Sequence, residues 1–256
     1  MKFFNFVFNC GFKYIPATIA VAAGLFMSSV SANPDVIRKE IQKKYPNVTV
    51  QSVLPTAFPG VWEIFTGTEL FYSDDRASYI MLGRMIDVAT QADISTPRLT
   101  ILTAIKFDDL PLNLAMKTVN GKGTRKLAVF SDPNCGYCKR FEADLTTLTD
   151  TTVYTFLYPV LAADSATKAK QVWCAADRVK TWQDWMLRGV ALPKGDKCDN
   201  PIDKVTALGQ RLNLKAVPVS YFADGTKLEG AVPKATLESR ILTAVGIVVT
   251  PSITVR

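Results

Sequence analysis

The sequence predicts a two-part protein of mixed α+β and α/β class, a small α+β unit followed by a larger unit that begins β-α-β, carries a helical insertion and closes β-β-α. Three observations predict it. Short strand-like runs separated by turn residues crowd the stretch from Val48 to Val88; strands and helices alternate beyond Lys126; and the first strand of that second half runs straight into a Cys-x-x-Cys pair, Cys135 and Cys138, where a helix opens. A chain of 256 residues has room for two modest domains once a removable leader is allowed for.

Residues 1–32 read as that leader. Lys2 and Lys13 bracket an aromatic start, Ile15 to Met27 is almost wholly apolar, and Val30-Ser31-Ala32 offers the small residues of a cleavage site, with the cut after Ala32. A membrane anchor is the competing reading, but the apolar stretch contains Pro16 and falls short of the roughly 20 residues that span a bilayer. Cys10 leaves with the leader, so the mature chain keeps Cys135, Cys138, Cys174 and Cys198, an even count that suits disulfide chemistry in an exported protein. Loss of Lys2 and Lys13 leaves 28 basic against 23 acidic residues, a balance of +5, and because the basic residues are scattered no nucleic-acid partner is expected.

In the first unit, Val36, Ile37 and Ile41 stand at helical spacing between Pro34 and Tyr45, and Pro46 ends the pattern. Strands are expected at Val48 to Val53, Val61 to Phe65, Leu70 to Tyr72 and Tyr79 to Val88. A unit of this size buries a modest core, so pairing with a second copy would help it. Tyr79 to Ile86 is a candidate edge for that pairing, a central strand being the alternative. Ser95 or Thr96 can cap a connecting helix with Pro97 at its first position and an apolar stripe of Leu99, Leu102 and Ile105. From Phe107 to Lys126 that periodicity is lost, and Asn120-Gly121-Lys122-Gly123 reads as a loop.

In the second unit, Leu127 to Phe130 and Val153 to Leu157 are strands on either side of the helix opened by Cys135. Helical patterns cover Lys168 to Arg178, Trp182 to Arg188 and Ile202 to Leu212; Val219 to Ala223 and Leu228 to Gly230 form a hairpin around Asp224-Gly225; and Thr236 to Val245 is a closing helix. This order is that of a thioredoxin fold. The expected boundaries are a leader at 1–32, a dimerisation unit at 33–94, a linker helix and loop at 95–125, and the thioredoxin-like unit at 126–250.

The absence of histidine removes Ser-His-Asp and Cys-His catalysis and any His-ligated metal. Cys174 and Cys198 form no second Cys-x-x-Cys knuckle, so neither zinc nor another cofactor is expected. What remains is thiol-disulfide exchange, which needs an attacking thiolate, a second thiol to resolve the mixed disulfide, and access to the first sulfur. Cys135 would meet unpaired backbone N–H groups at the positive end of a helix dipole, which favours a thiolate, and is expected to be exposed; Cys138 would lie nearly a turn deeper. A static structural disulfide is the plainer alternative for the pair. A bridge between Cys174 and Cys198 would stabilise by about 3 kcal/mol in the chain-entropy model and reads as structural, a second redox pair being the alternative. Trp173, Trp182 and Trp185 are expected as packing residues, and Lys139 and Arg140 either favour the thiolate or are solvated helix charges. Val217-Pro218 would by itself be a trans turn before the hairpin strand.

With these residues placed, the chain resembles the periplasmic DsbC/DsbG family of disulfide isomerases over nearly all of its mature length. Phe130-Ser131-Asp132-Pro133-Asn134-Cys135-Gly136-Tyr137-Cys138 is similar to the family's active site, Gly136 and Tyr137 between the cysteines included. Trp173-Cys174-Ala175 with Cys198 resembles its structural disulfide, and Leu70 to Asp75 with Gly83 to Val88 is similar to its dimerisation domain. The resemblance implies a periplasmic homodimer whose cleft holds misfolded exported proteins, a membrane reductase of the DsbD type that keeps Cys135 and Cys138 reduced, and a cis peptide at Val217-Pro218 facing the sulfurs. One departure is Val217, where the family usually has threonine; valine there is more typical of DsbA-type oxidases. The expected function is disulfide isomerisation, with a net thiol oxidase or a chaperone with secondary redox activity as alternatives.

Overall fold

The computed structural model describes residues 33–246. The expected leader, Cys10 within it, and the last residues of the expected 126–250 unit lie outside the described residues.

Helix α1 (Pro34–Lys44) starts where the Asn33 side chain accepts the Asp35 N–H at 2.9 Å, with proline in the first turn and Lys43 and Lys44 in the last. Ile37 and Ile41, one turn apart, bury its inner face against Val50, Val53, Ile64, Phe71 and Ala77. Val53, Ile64 and Phe71 come from a fully antiparallel sheet of order β1-β2-β3-β4, formed by β1 (Ser52–Pro55), β2 (Val61–Phe65), β3 (Leu70–Asp74) and β4 (Ile80–Met81), and Val50 and Ala77 from the chain beside it.

Two strand expectations need correction here. The ladder begins at Ser52 rather than Val48, because the Val50 carbonyl accepts the Arg38 guanidinium instead of a strand partner. The long strand expected over Tyr79 to Val88 shrinks to Ile80–Met81. Beyond it Gly83 takes φ +126, and the chain doubles back, with Asp87 N–H donating to Ala92 O at 2.9 Å and Ile94 N–H to Met85 O at 2.9 Å. The strand that survives is an edge of its sheet, flanked by exposed Tyr79 and Leu82.

Helix α2 (Ser95–Leu102) is capped by Asp93, not by Ser95 or Thr96: its carboxylate accepts Thr96 N–H at 2.9 Å and Thr96 Oγ1 at 2.7 Å. Ser95 is buried, and its hydroxyl meets Tyr72 OH at 2.5 Å and accepts the Met85 N–H at 2.7 Å. Arg98 clamps both oxygens of Glu63, at 3.0 and 3.1 Å, joining α2 to β2. The chain then docks on the second unit through Ile105 N–H, which donates to Gly225 O at 3.0 Å. Gly225 has φ +80, and a Cβ there would stand 1.6 Å from Ile105 O, so the contact requires glycine.

The segment expected to be a loop, Phe107 to Lys126, is largely ordered. Two short 3-10 turns span Phe107–Asp109 and Leu112–Leu114, Phe107 and Leu110 are buried, and Met116–Asn120 forms strand β5. The linker expected at 95–125 therefore contains a strand of the second sheet. That sheet has the order β5-β7-β6-β8-β9, with β6 (Arg125–Ser131), β7 (Thr151–Leu157), β8 (Val219–Phe222) and β9 (Lys227–Glu229). Only β6 and β7 pair in parallel. Strand β6 is buried on both faces. Leu127 and Val129 meet Phe141 and Leu145 of α3 (Gly136–Thr146) and Leu237 and Ile241 of α7 (Lys234–Ala244); Ala128 and Phe130 belong to the opposite cluster with Val172, Trp173 and Val205. The helical insertion is three helices: α4 (Ser165–Cys174), α5 (Arg178–Arg188) and α6 (Ile202–Arg211). The single helix expected over Lys168 to Arg178 breaks at Ala175, and Asp177 caps α5 by accepting Lys180 N–H at 2.9 Å. Cys174 and Cys198 are bonded, their Cα atoms 5.7 Å apart, which ties the end of α4 to the chain before α6. The whole is a thioredoxin fold with a helical insertion, joined to a small α+β unit.

One buried group makes this core pH-sensitive. Glu142 lies on the inner face of α3 beside Trp182 and Gln183 of α5 and Thr118 and Thr155 of the sheet. Burial pushes its carboxyl from the ordinary 4.5 up to about 7, with the Trp182 indole pulling the other way although its Nε1 makes no well-formed hydrogen bond. The folded chain thus holds a proton that the unfolded chain has lost, so the neutral carboxyl's contribution is complete below pH 4.5 and disappears as the pH rises through about 7. Its size is about 3 kcal/mol. Thermal unfolding across pH 4 to 8 should show Glu142→Gln with a flatter Tm profile than the parent chain and a higher Tm at pH 8; parallel profiles would contradict this.

Candidate active site

Strand β6 delivers the chain to Ser131, and a turn through Asp132, Pro133 and Asn134 leads into α3 with Cys135 as its N-cap. Cys135 Sγ accepts the Cys138 N–H at 3.1 Å, so the sulfur does what a serine or aspartate oxygen does at other helix starts. Cys135 N–H donates to Asp132 O at 3.1 Å, and Lys139 N–H to Cys135 O at 3.0 Å. The two cysteines are not bonded to each other. Val217-Pro218 is a cis peptide, and Val217 O lies 3.6 Å from Cys135 Sγ.

The expectation of an exposed Cys135 is corrected. Cys135 is 3% and Cys138 1% exposed, whereas Gly136 is open to solvent and Tyr137 is 62% exposed. Val217 comes from a distant part of the chain and closes over the first sulfur, which helix geometry within residues 135–138 could not reveal. Burial, and next the contact with Cys135, push the Cys138 thiol well above its ordinary range. Cys138 therefore holds its proton more firmly than a solvent-exposed thiol.

A polar network that sequence spacing did not single out supports this turn. Asp132 is fully buried, and its carboxylate accepts four hydrogen bonds: Asn134 N–H at 2.7 Å and Ser165 Oγ at 3.0 Å on Oδ1, Val160 N–H at 2.7 Å and Leu161 N–H at 2.9 Å on Oδ2. Asn134 Nδ2 donates to Asp164 Oδ1 and to Ser165 Oγ, both at 2.8 Å, and its Oδ1 accepts Lys168 Nζ at 2.6 Å. Trp185 does more than pack: its Nε1 donates to Pro133 O at 2.6 Å, and the ammonium groups of Lys139 and Lys168 lie 4.6 and 4.8 Å from the centre of its ring. Arg140 covers the Tyr137 ring at 4.5 Å, so both basic residues after Cys138 are engaged with aromatic faces. Trp173, under Arg178, and Trp182 are buried packing residues. The local signal available in the sequence was the Ser-Asp-Pro-Asn turn; the partners lie some 30 residues on, beyond the next strand. Among the described residues, no group of three or more Cys, Asp or Glu is placed to hold a metal ion, and no helix is long and apolar enough to cross a membrane.

Comparison with known proteins gives consistent matches. Residues 112–244 match the thioredoxin-like domain, and residues 28–96 match the disulfide bond isomerase protein N-terminal domain. The chain is 41% identical over 207 residues to the probable thiol:disulfide interchange protein DsbC of Bordetella pertussis, covering 81% of this chain and 74% of that protein. It is 26% identical over 212 residues to the thiol:disulfide interchange protein DsbC of Escherichia coli, covering 81% of this chain and 87% of that one. Among solved structures, a disulfide interchange protein from Neisseria gonorrhoeae is 41% identical with a TM-score of 0.50, covering 53% of this chain and 98% of that one.

The unequal setting of the two thiols has a direct readout. In the folded, reduced protein at pH 7.5, iodoacetamide should modify Cys135 at least tenfold faster than Cys138, with Cys138 reacting freely only after unfolding, as read by peptide mass mapping. Equal rates in the folded state would contradict the firmer hold of Cys138 on its proton.

Proposed function

Because the chain belongs to the DsbC family of thiol:disulfide interchange proteins, a class of disulfide oxidoreductases and isomerases, we propose that it is a periplasmic disulfide isomerase whose reacting dithiol is Cys135 and Cys138. The observation that carries this reading is the Cys135 sulfur capping α3 with Cys138 buried beneath it.

The Cys135 thiolate attacks one sulfur of a wrong substrate disulfide; a Cys135–substrate S–S bond forms, the substrate S–S bond breaks, and the other substrate sulfur leaves as a thiolate. If that or another substrate thiolate then attacks the mixed disulfide, Cys135 is released as a thiolate and the substrate keeps its oxidation state with a new pairing. If Cys138 gives up its proton and attacks Cys135 instead, the substrate leaves with two more electrons and the enzyme holds a Cys135–Cys138 disulfide. The proton held firmly by Cys138 favours the first outcome, since a thiol must ionise before it can attack. Gly136 and Tyr137, with Val217 and Pro218, frame the sulfur, while the Cys174–Cys198 bridge is structural.

In this reading residues 1–32 direct export, 33–94 form the dimerisation unit and 95–125 the linker, and the homodimer presents two dithiols to misfolded exported proteins. A membrane reductase of the DsbD type returns the pair to its reduced form. A net oxidase is the second reading, favoured by one observation: the residue whose carbonyl faces Cys135 Sγ is Val217, which has no hydroxyl to offer the sulfurs. Thiol trapping of the pair in cells separates the two, a mostly oxidised pair supporting the oxidase.

Refolding of scrambled ribonuclease by the mature protein should be lost, by about 100-fold or more, in Cys135→Ala, and Cys138→Ala should accumulate mixed disulfides on gels run without reductant. Undiminished rescue by Cys135→Ala would replace the enzyme reading with a chaperone. Sedimentation of the mature protein as a monomer would remove the two-site cleft.

A further inference from the structure

Helix α3 carries two cations, Lys139 and Arg140, directly after the buried thiol of Cys138, and aromatic rings decide where those charges sit. A helical side chain lies over the turn N-terminal to its own Cα. The exposed Arg140 follows this rule, its guanidinium 4.5 Å from the centre of the Tyr137 ring, which stands between the two cysteines in the chain. Lys139 turns the other way, to α5: its Nζ lies 4.6 Å from the centre of the Trp185 ring, and Trp185 Nε1 is anchored on Pro133 O, two residues before Cys135. Both charges are therefore held beside the turn that carries the reactive sulfur. A ring attracts a cation through its quadrupole and, unlike a carboxylate, leaves the positive charge uncancelled. Among the described residues neither Lys139 nor Arg140 is in an ion pair. Carboxylates on the neighbouring elements do not cancel these charges. Asp164 is paired with Lys168 at 2.9 Å, Asp184 with Lys180 and Arg188, and Asp132 lies buried behind the turn with four donors on it. Glu142, one turn past Cys138, is buried and its carboxyl is pushed up to about 7 by that burial, while Asp144, one turn past Arg140, makes no ion pair with it. What reaches water beside Cys135 is a pair of fixed positive charges.

We propose that Lys139 and Arg140 are specificity residues for the exchange reaction, selecting disulfides flanked by acidic residues. The inference rests on the reading of Cys135 as the nucleophile and adds a substrate class to it: a polypeptide segment with Asp or Glu beside the cysteine to be attacked. Such a segment meets its counter-charges where its own sulfur has to lie. A cation already held on a ring loses less freedom on binding an anion than a mobile one does. The same two charges repel a basic flank, so attraction and repulsion both widen the discrimination. Because the charges act at the surface, salt weakens the preference.

The test uses the reduced mature protein and three cystine peptides that differ only in the residue on either side of the cysteine: Glu, Gln or Lys. The rate of attack on each is followed as loss of the peptide disulfide. At low ionic strength the parent should react about tenfold faster with the Glu peptide than with the Lys peptide. About 0.5 M sodium chloride should narrow that preference to about twofold, a measurement that needs no variant. In Lys139→Gln with Arg140→Gln the preference should fall to about twofold at low salt, with the Gln peptide reacting within about twofold of its rate with the parent. Equal rates for the Glu and Lys peptides in the parent overturn the proposal, and so does a preference that persists undiminished in the double variant. An equal loss towards all three peptides overturns it too, since the charges would then act on the sulfur and not on the substrate. If the parent reacts with none of the three, the reading of Cys135 as the nucleophile fails instead.

Discussion

A carboxylate taken out of water is destabilising by several kcal/mol unless donors surround it, and Asp132 sits fully buried at the end of β6. Its four donors come from the turn before α3, from the segment between β7 and α4, and from Ser165 at the start of α4. Removing any of these partners takes a donor from a buried carboxylate, which ties the two segments into one unit at this edge of the sheet. The position of Cys135 follows from this. The turn closes with Cys135 N–H on Asp132 O, the sulfur falls at the N-cap, and Cys138 is carried into the core a turn later.

Layers further out depend on the same edge. Asn134 extends the network to Asp164, Ser165 and Lys168, and Trp185 brings α5 onto the turn through Pro133 O. The Cys174–Cys198 bridge holds the insertion that supplies α5 and α6. From the opposite side Val217 covers the sulfur with its carbonyl 3.6 Å away. The sulfurs are therefore buried while Tyr137, between the two cysteines in the chain, is open. Both sulfurs are thereby shielded from bulk solvent.

The first unit is joined to this one by specific bonds. Arg98 on Glu63 fixes the connecting helix to the first sheet, and Ile105 on Gly225 fixes its far end to the β8–β9 turn, where only glycine leaves room. Between these anchors α2 spans Ser95–Leu102. The exposed edge β4 lies at the outer side of the first sheet, away from β1.

The sequence alone determined what depends on neighbours within one turn or one strand. The Cys-x-x-Cys pair at a strand-to-helix junction, the Ile37 and Ile41 stripe, the run Val61 to Phe65 and the Asp224-Gly225 hairpin all follow from local periodicity and turn chemistry, and together with the order of elements they fixed the fold class. It was blind where a residue's conformation or burial is set by something far along the chain. Strand β5 exists because β7 offers it a ladder, while its own residues sit beside an Asn-Gly turn that reads as loop. Residues 79–88 are as rich in apolar side chains as a strand but fold back, because Met85 and Asp87 find closer backbone partners in Ile94 and Ala92. Ser95 gave up the cap to Asp93 because Tyr72 and Met85 claim its hydroxyl. Tertiary structure alone decided that Cys135 is covered by Val217, that Glu142 is buried without a charged partner, and that Asp132 joins two loops 28 or more residues apart. Hydrogen bonding and desolvation act through space, and spacing along the chain carries no record of which distant groups will meet.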